Sequence, residues 1–145
     1  MNRIGIDAMG GDFAPQNVVL GAIDAFSYIN EDSKIYLIGD QDRIAEVCNH
    51  YGVDSGNFVI VNASQVIEMG EHPAKAYKKK TDSSINIGFK LLADGEIDAF
   101  ASAGSTGAML TGSVQTLNLL PEVIRPCISA QIPLVDGNNM LILDV

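Results

Sequence analysis

Three short stretches of the chain gather the residue types that handle anions. The first is Ser102-Ala103-Gly104-Ser105-Thr106-Gly107-Ala108, where an apolar run passes through glycines into a helical pattern. At such a junction the free N–H groups of a helix start, together with the helix dipole, favour a negative charge, and phosphate is the natural guest. Glycine lets the backbone come close to a ligand, and Ser105 and Thr106 can donate hydroxyl hydrogen bonds to oxyanions. A tight turn closed by a Ser or Thr cap accounts for the same residues equally well. Neither the GxxxxGK[ST] phosphate loop nor the GxGxxG dinucleotide fingerprint is present.

The second stretch is Asp7-Ala8-Met9-Gly10-Gly11-Asp12, two carboxylates flanking a diglycine. Asp7 and Asp12 could bind a cation, orient a substrate group or act as a base, while capping a helix near Pro15 is an adequate task for Asp12. The third gathers Lys75, Lys78, Lys79 and Lys80, four of the nine basic residues, into six positions of an acidic chain, followed at once by Thr81, Asp82, Ser83 and Ser84. Such a cluster suits an anion or an acidic protein, although a solvated face is the usual fate of a lysine run.

Other chemistries are poorly supported. His50 and His72 with two remote cysteines offer no zinc spacing, so no metal site is expected. Ala103 to Gly107 is close to a GxSxG nucleophile elbow, but no histidine follows Ser105, which opposes a serine hydrolase.

The composition bounds the remaining possibilities. With 145 residues, 47% hydrophobic and 19% charged, the chain is one globular domain at most and can build a core. A net charge of −9 would be repelled by a phosphodiester backbone, so no nucleic acid is expected as a partner. Cys48 and Cys127 follow no CxxC spacing and read as reduced thiols, two small buried hydrophobes. No long apolar segment follows the N-terminus, and the cytoplasm is the default compartment. Ala99 to Leu120 is free of charge over a membrane-spanning length, but its glycines, serines and threonines favour a strand, a loop and a buried helix.

The elements that would position these residues follow from periodicity. Arg3 to Asp7 reads as a strand, and Pro15 suits a first helical turn. Val18, Val19, Ala22, Ile23 and Phe26 then form one apolar stripe. Lys34 to Gly39 is a second strand, Ile44, Val47, Cys48 and Tyr51 mark a second helix, and Phe58 to Val61 is a third strand, these strands being expected buried on both faces. From Gln65 to Thr81 a loop with a short helical piece is expected, exposed rather than core. Ser83 and Ser84 can cap a helix carrying Ile87, Leu91 and Leu92 and ended by Gly95. Ile97 to Ala103 is the next strand and Thr106 to Leu120 the next helix. Ile128 to Pro133 and Met140 to Val145 then pair antiparallel around Asp136-Gly137-Asn138.

Strands alternating with helices specify an α/β fold, a mostly parallel sheet with helices on both faces and ligands at the C-terminal strand ends. The chain stops on an apolar strand where a further helix would ordinarily follow, so it reads as a piece of a longer protein.

Taken together, Ile6 to Pro15, Lys79 to Ser84, Ser102 to Ala108, Arg125-Pro126 and Leu143-Asp144-Val145 resemble the phosphate acyltransferase (PlsX) family of bacterial phospholipid synthesis. The order and spacing of these blocks carry the likeness over the whole chain. Ser105 departs from it, since many members have Asn there, and either side chain can hydrogen-bond an anion. The resemblance implies a Rossmann-like three-layer architecture like that of isocitrate and isopropylmalate dehydrogenases. It makes residues 1–145 the N-terminal portion of a single acyltransferase domain whose C-terminal half is absent. It further implies transfer of a long-chain acyl group from acyl carrier protein to inorganic phosphate, without a cofactor, in a homodimer. Peripheral membrane contact would come through the absent half. On that reading Gly10, Gly11, Asp12, Ser102, Gly104, Ser105, Thr106 and Gly107 surround phosphate. Lys79, Lys80 and Ser83 neutralise phosphate or the developing oxyanion, Asp7 shapes the cleft, and Lys75 and Lys78 greet the acidic carrier. The alternatives are a phosphotransacetylase-like or dehydrogenase-like enzyme on a small anionic substrate, and an inactive anion-binding fragment.

Overall fold

The first strand lies between two parallel neighbours, and this arrangement organises everything around it. In the computed structural model, which describes residues 2–30, 32–117, 119–124 and 126–144, β1 (Arg3–Asp7) pairs with β2 (Lys34–Gly39) on one side and β4 (Ala99–Ala101) on the other. β3 (Val59–Asn62) extends the sheet beyond β2, giving the order β3-β2-β1-β4 with every pair parallel. Arg125 and Val145, which carry part of the family likeness, lie outside the described residues, as does Asn118 within the helix expected to reach Leu120.

Two cores form, one on each face of the sheet. On one face Ile35 and Leu37 of β2 pack with Val19 and Ala22 of α1 (Gln16–Ala25), Ile44 and Cys48 of α2 (Gln41–His50), and Phe58. On the other, Phe89 of α4 (Ser84–Ala93), Ala76 and Tyr77 of α3 (Pro73–Lys79), and Ala108 of α5 (Thr106–Thr116) enclose Ile67 and Ile85. Apolar side chains alternating across the strands therefore need helices on both sides to leave water, and the expected α/β class is what this sequence forms.

Several expectations are corrected. β3 is half-exposed instead of buried, because it borders only β2 among the described strands. The segment from Gln65 to Thr81 is not simply an exposed loop, since α3 buries Ala76 and Tyr77, and the Tyr77 hydroxyl lies 2.7 Å from Thr116 Oγ1 of α5. A helix of seven residues is too short to display a stripe. On α4 the buried positions are Ser84, Ile85, Gly88 and Phe89, with Ile87, Leu91 and Leu92 at the margin. Phe26 lies just past α1, its ring edge-on to Phe58 at 5.8 Å. α1 begins after Pro15 with no side-chain cap, so Asp12 does not cap it. Cys48 is buried, but Cys127 is exposed.

The final two strands stand apart. β5 (Ile128–Pro133) and β6 (Asn139–Asp144) pair antiparallel as expected, but in their own two-stranded sheet. Met140, Leu141, Ile142 and Leu143 are all exposed there. Among the described residues no helix is long and apolar enough to cross a membrane.

Candidate functional site

Strand order places two of the three stretches side by side. Ile6 is opposite Ala101 in the β1–β4 register, so the residues that follow, Asp7 and Ser102, emerge together at the C-terminal edge of the sheet. Ser102 Oγ donates to Asp7 Oδ2 at 2.7 Å, the Met9 amide donates to Asp7 Oδ1 at 3.0 Å, and the Gly104 amide donates to Ser102 Oγ at 3.0 Å. Asp7 is only 2% exposed, so this carboxyl holds the bends after β1 and β4 together from inside the protein.

The opposite end of these strands is pinned by Arg3 and Asp98. The Arg3 amide and Nε both reach Asp98 Oδ2, at 2.8 and 3.2 Å, and the guanidinium NH2 reaches Oδ1 at 2.7 Å. The bidentate guanidinium holds the Asp98 carboxyl down to a pKa of about 2.

Gly10 is where the two bends touch. A Cβ there would lie 2.7 Å from Asp7 Oδ2 and 2.8 Å from the Gly104 amide nitrogen, so any side chain would force backbone apart. Gly11 has φ of +105°, a conformation L side chains rarely adopt. After Gly104, Ser105 caps α5 by accepting from the Ala108 amide at 3.3 Å, the turn-and-cap reading realised in full. Thr106 is exposed, and the opening amides of α5 at Thr106 and Gly107 precede any intrahelical acceptor.

Hollows lie on both sides of the paired bends. One of about 380 Å³ is lined by Ser102, Gly104, Thr106 and the apolar side chains beyond them. Another of about 310 Å³ is lined by Gly10, Gly11, Asp12, Phe13 and Ala103, with Asp12 exposed at its rim.

The lysine segment is placed differently. Lys75, Lys78 and Lys79 are exposed, whereas Lys80 Nζ donates to the Val66 carbonyl at 2.6 Å and to Glu71 Oε2 at 2.5 Å. The Lys80 hydrogen bond, helped by the Glu68 amide, holds the Glu71 carboxyl below its ordinary range. Lys75, Lys79 and Lys80 line a hollow of about 200 Å³ with Glu71 and His72, and it shares no lining residue with the hollows at the bends. Ser83 is buried as the cap of α4, accepting from the Asn86 amide at 3.3 Å. The lysine helix is nevertheless joined to the bend, because a Cβ on Gly107 would lie 2.5 Å from Pro73 Cγ, so the start of α3 rests on the first turn of α5.

Two residues that organise these loops carry no motif. Glu71 neutralises Lys80 from nine positions away, a separation with no helical meaning. Asn86 donates through Nδ2 to the Tyr77 and Lys80 carbonyls, both at 2.9 Å, and its one sequence signal is a lone amide between Ile85 and Ile87. Among the described residues no group of three or more His, Cys, Asp or Glu side chains could hold a metal ion.

The model of the fatty acid synthesis protein family matches residues 2–145. The chain belongs to this family. Among relatives of the fatty acid synthesis protein, the phosphate acyltransferase of Herpetosiphon aurantiacus is 43% identical over 143 residues, covering 97% of this chain and 38% of the relative. That of Desulfitobacterium hafniense is 41% identical over 145 residues, covering all of this chain and 42% of the relative. That of Syntrophomonas wolfei is 37% identical over 143 residues, with coverages of 99% and 44%. The chain thus spans about two fifths of the length of these relatives. Among solved structures, a phosphotransacetylase from Streptococcus pyogenes superposes with a TM-score of 0.67 at 14% identity. The match covers 97% of this chain and 45% of that one, a likeness of fold.

Proposed function

We propose that the paired bends form the phosphate end of an acyl-transfer site, and that the reaction moves a long-chain acyl group from the thioester of an acyl carrier protein to inorganic phosphate. A phosphate oxygen attacks the thioester carbonyl carbon, the C–S bond breaks, and the thiolate leaves and takes up a proton, giving acyl phosphate and the free thiol carrier. Phosphate is already a nucleophile and a thiolate leaves readily, so the reaction needs alignment and charge stabilisation more than a serine or a strong base.

The observation that carries this reading is the Asp7–Ser102–Gly104 hydrogen-bond chain, which fixes the backbone leading into the open amides of α5 in a chain of the fatty acid synthesis family. Thr106 and Gly107 are the phosphate contacts on this reading, with Ser102 and Gly104 fixing the bend beside them, Ser105 shaping the turn and Gly10 and Gly11 admitting the close approach. Asp12 stands at the rim of the neighbouring hollow. Lys79 acts at range. It lies six residues beyond Pro73, about 9 Å along the helix axis, which is close to the Debye length of roughly 8 Å at physiological salt, so its charge is felt but partly screened. Lys80 and Ser83 support the site by holding the segment in place, and Lys75 and Lys78 offer positive charge to an acidic carrier.

Phosphate titration of the chain, followed by thermal protection, tests the reading. Gly104→Val, whose Cβ would lie 3.1 Å from Gly10 Cα, is expected to abolish protection while far-ultraviolet dichroism stays unchanged. Lys79→Ala should weaken binding at low salt and have little effect at high salt. Unchanged phosphate affinity in a folded Gly104→Val chain removes the bend from the site.

A further inference from the structure

We propose that the groove running from the bend along α5 to the start of β5 is the seat of the donor's acyl chain, with the thioester carbonyl at Thr106 and the alkyl tail directed toward Cys127 and Ile128. This rests on the reading of the bend as the phosphate end of an acyl-transfer site. The groove has a volume of about 380 Å³, within the range of small-molecule sites, and among the described residues no charged side chain lines it. Its polar groups gather mainly at one end, where Ser102, Gly104 and Thr106 belong to the bend itself. Beyond them the walls are Phe89, Met109, Leu110 and Ile128.

An occupant must therefore be polar at one end and apolar along its length. A thioester with an alkyl tail has that distribution, while a nucleotide, a sugar or a second anion would leave polar groups facing Phe89, Met109 and Leu110 without partners. Thr106, Met109, Leu110 and Ser113 recur at the spacing of one helical face, so the groove follows the axis of α5. From Thr106 to Ser113 that axis advances about 10 Å. An extended alkyl chain advances roughly 1.3 Å per carbon, given C–C bonds of about 1.5 Å, so the straight part of the groove accommodates about eight carbons.

Cys127 supplies the readout. It is exposed and lines the groove, whereas Cys48 is buried in the core between α2 and β2, so a thiol reagent reports on the groove and reaction at Cys48 reports unfolding. The rate of Cys127 modification by a maleimide is measured while S-acyl pantetheines of four to twelve carbons are titrated, with and without inorganic phosphate. The expected result is slowed modification whose midpoint falls about fourfold per added methylene, levelling off near eight to ten carbons. Leu110→Arg should remove the protection. Ser113→Trp, a milder change at the far end, should shorten the chain length at which the plateau begins, and both variants are accepted as folded only if Cys48 stays unreactive. Protection that is absent, or that does not depend on chain length, overturns the groove assignment even when phosphate binding is intact. Length-dependent protection in a chain that binds no phosphate would instead sustain the groove and overturn the reading of the bend.

Discussion

The bend pair at Asp7 to Gly11 and Ser102 to Thr106, and the lysine segment from Lys75 to Lys80, both have the composition of an anion site, yet they are built in opposite ways. In the bends the polar groups are locked by one another. A buried carboxyl holds a hydroxyl, the hydroxyl holds an amide, and a glycine contact leaves no room for slack. The groups left over include the opening amides of α5 at Thr106 and Gly107, fixed by the helix before any ligand arrives, so a ligand meets them without first paying for their ordering. In the lysine segment the charges are carried by long side chains, three exposed and the fourth neutralised by Glu71. Charge count alone would have ranked the lysines first. Preorganisation ranks the bends first.

Three substitutions would break or sharpen this contrast. The largest effect is expected from Gly10→Val, which drives side-chain carbons into the Gly104 backbone. A destabilisation of about 1–3 kcal/mol or more in urea unfolding, with loss of phosphate binding, is expected from such overpacking. A Gly10→Val chain as stable as the parent would show that the bends are not locked together. Asp7→Asn comes next. An amide offers one acceptor oxygen where the Met9 amide and the Ser102 hydroxyl both need one, so about 1–3 kcal/mol of stability should be lost, together with part of the phosphate affinity. If stability falls while phosphate binding does not, Asp7 supports the fold and not the site.

Glu71→Gln should have the smallest effect, because the ion pair it removes is partly exposed. Its signature is the pH dependence. Glu71 has a folded pKa below its ordinary value of 4.5, so the stability it contributes is fully present above that value and is lost as the pH falls through the folded pKa. Urea midpoints of the parent and Glu71→Gln should therefore converge on acidification. A difference that stays constant with pH would assign the effect to packing. Phosphate affinity near neutral pH should change little, in contrast to both substitutions at the bends.

The hairpin of β5 and β6 differs again from the sheet. Its strands and turn follow from the alternation around Asp136-Gly137-Asn138, where the Asn138 amide donates to Asp136 Oδ1 at 3.0 Å. That information is local, and so it is legible. What the hairpin packs against is not local, and Ile132, Met140, Leu141, Ile142 and Leu143 are exposed in this chain. The same limit explains two of the errors about burial. β3 has the composition of a buried strand but takes an edge position, and α3 is polar by composition yet places Ala76 and Tyr77 against α5. Both outcomes depend on neighbours distant in the chain.

The order of strands and helices, the cap at Ser83, the turn-and-cap at Ser105 and the glycine where α4 ends, Gly95 with φ of +70°, were all determined by the sequence alone. Each is an exchange of hydrogen bonds or backbone strain within a few residues. Only the tertiary structure decided that Asp7 meets Ser102 across 95 positions, that Glu71 takes Lys80, and that α4, α5 and the start of β5 leave a groove between them. The reason is physical. Strand order is selected by burying both faces of the sheet at once, a requirement summed over the whole chain that no short run of residues contains.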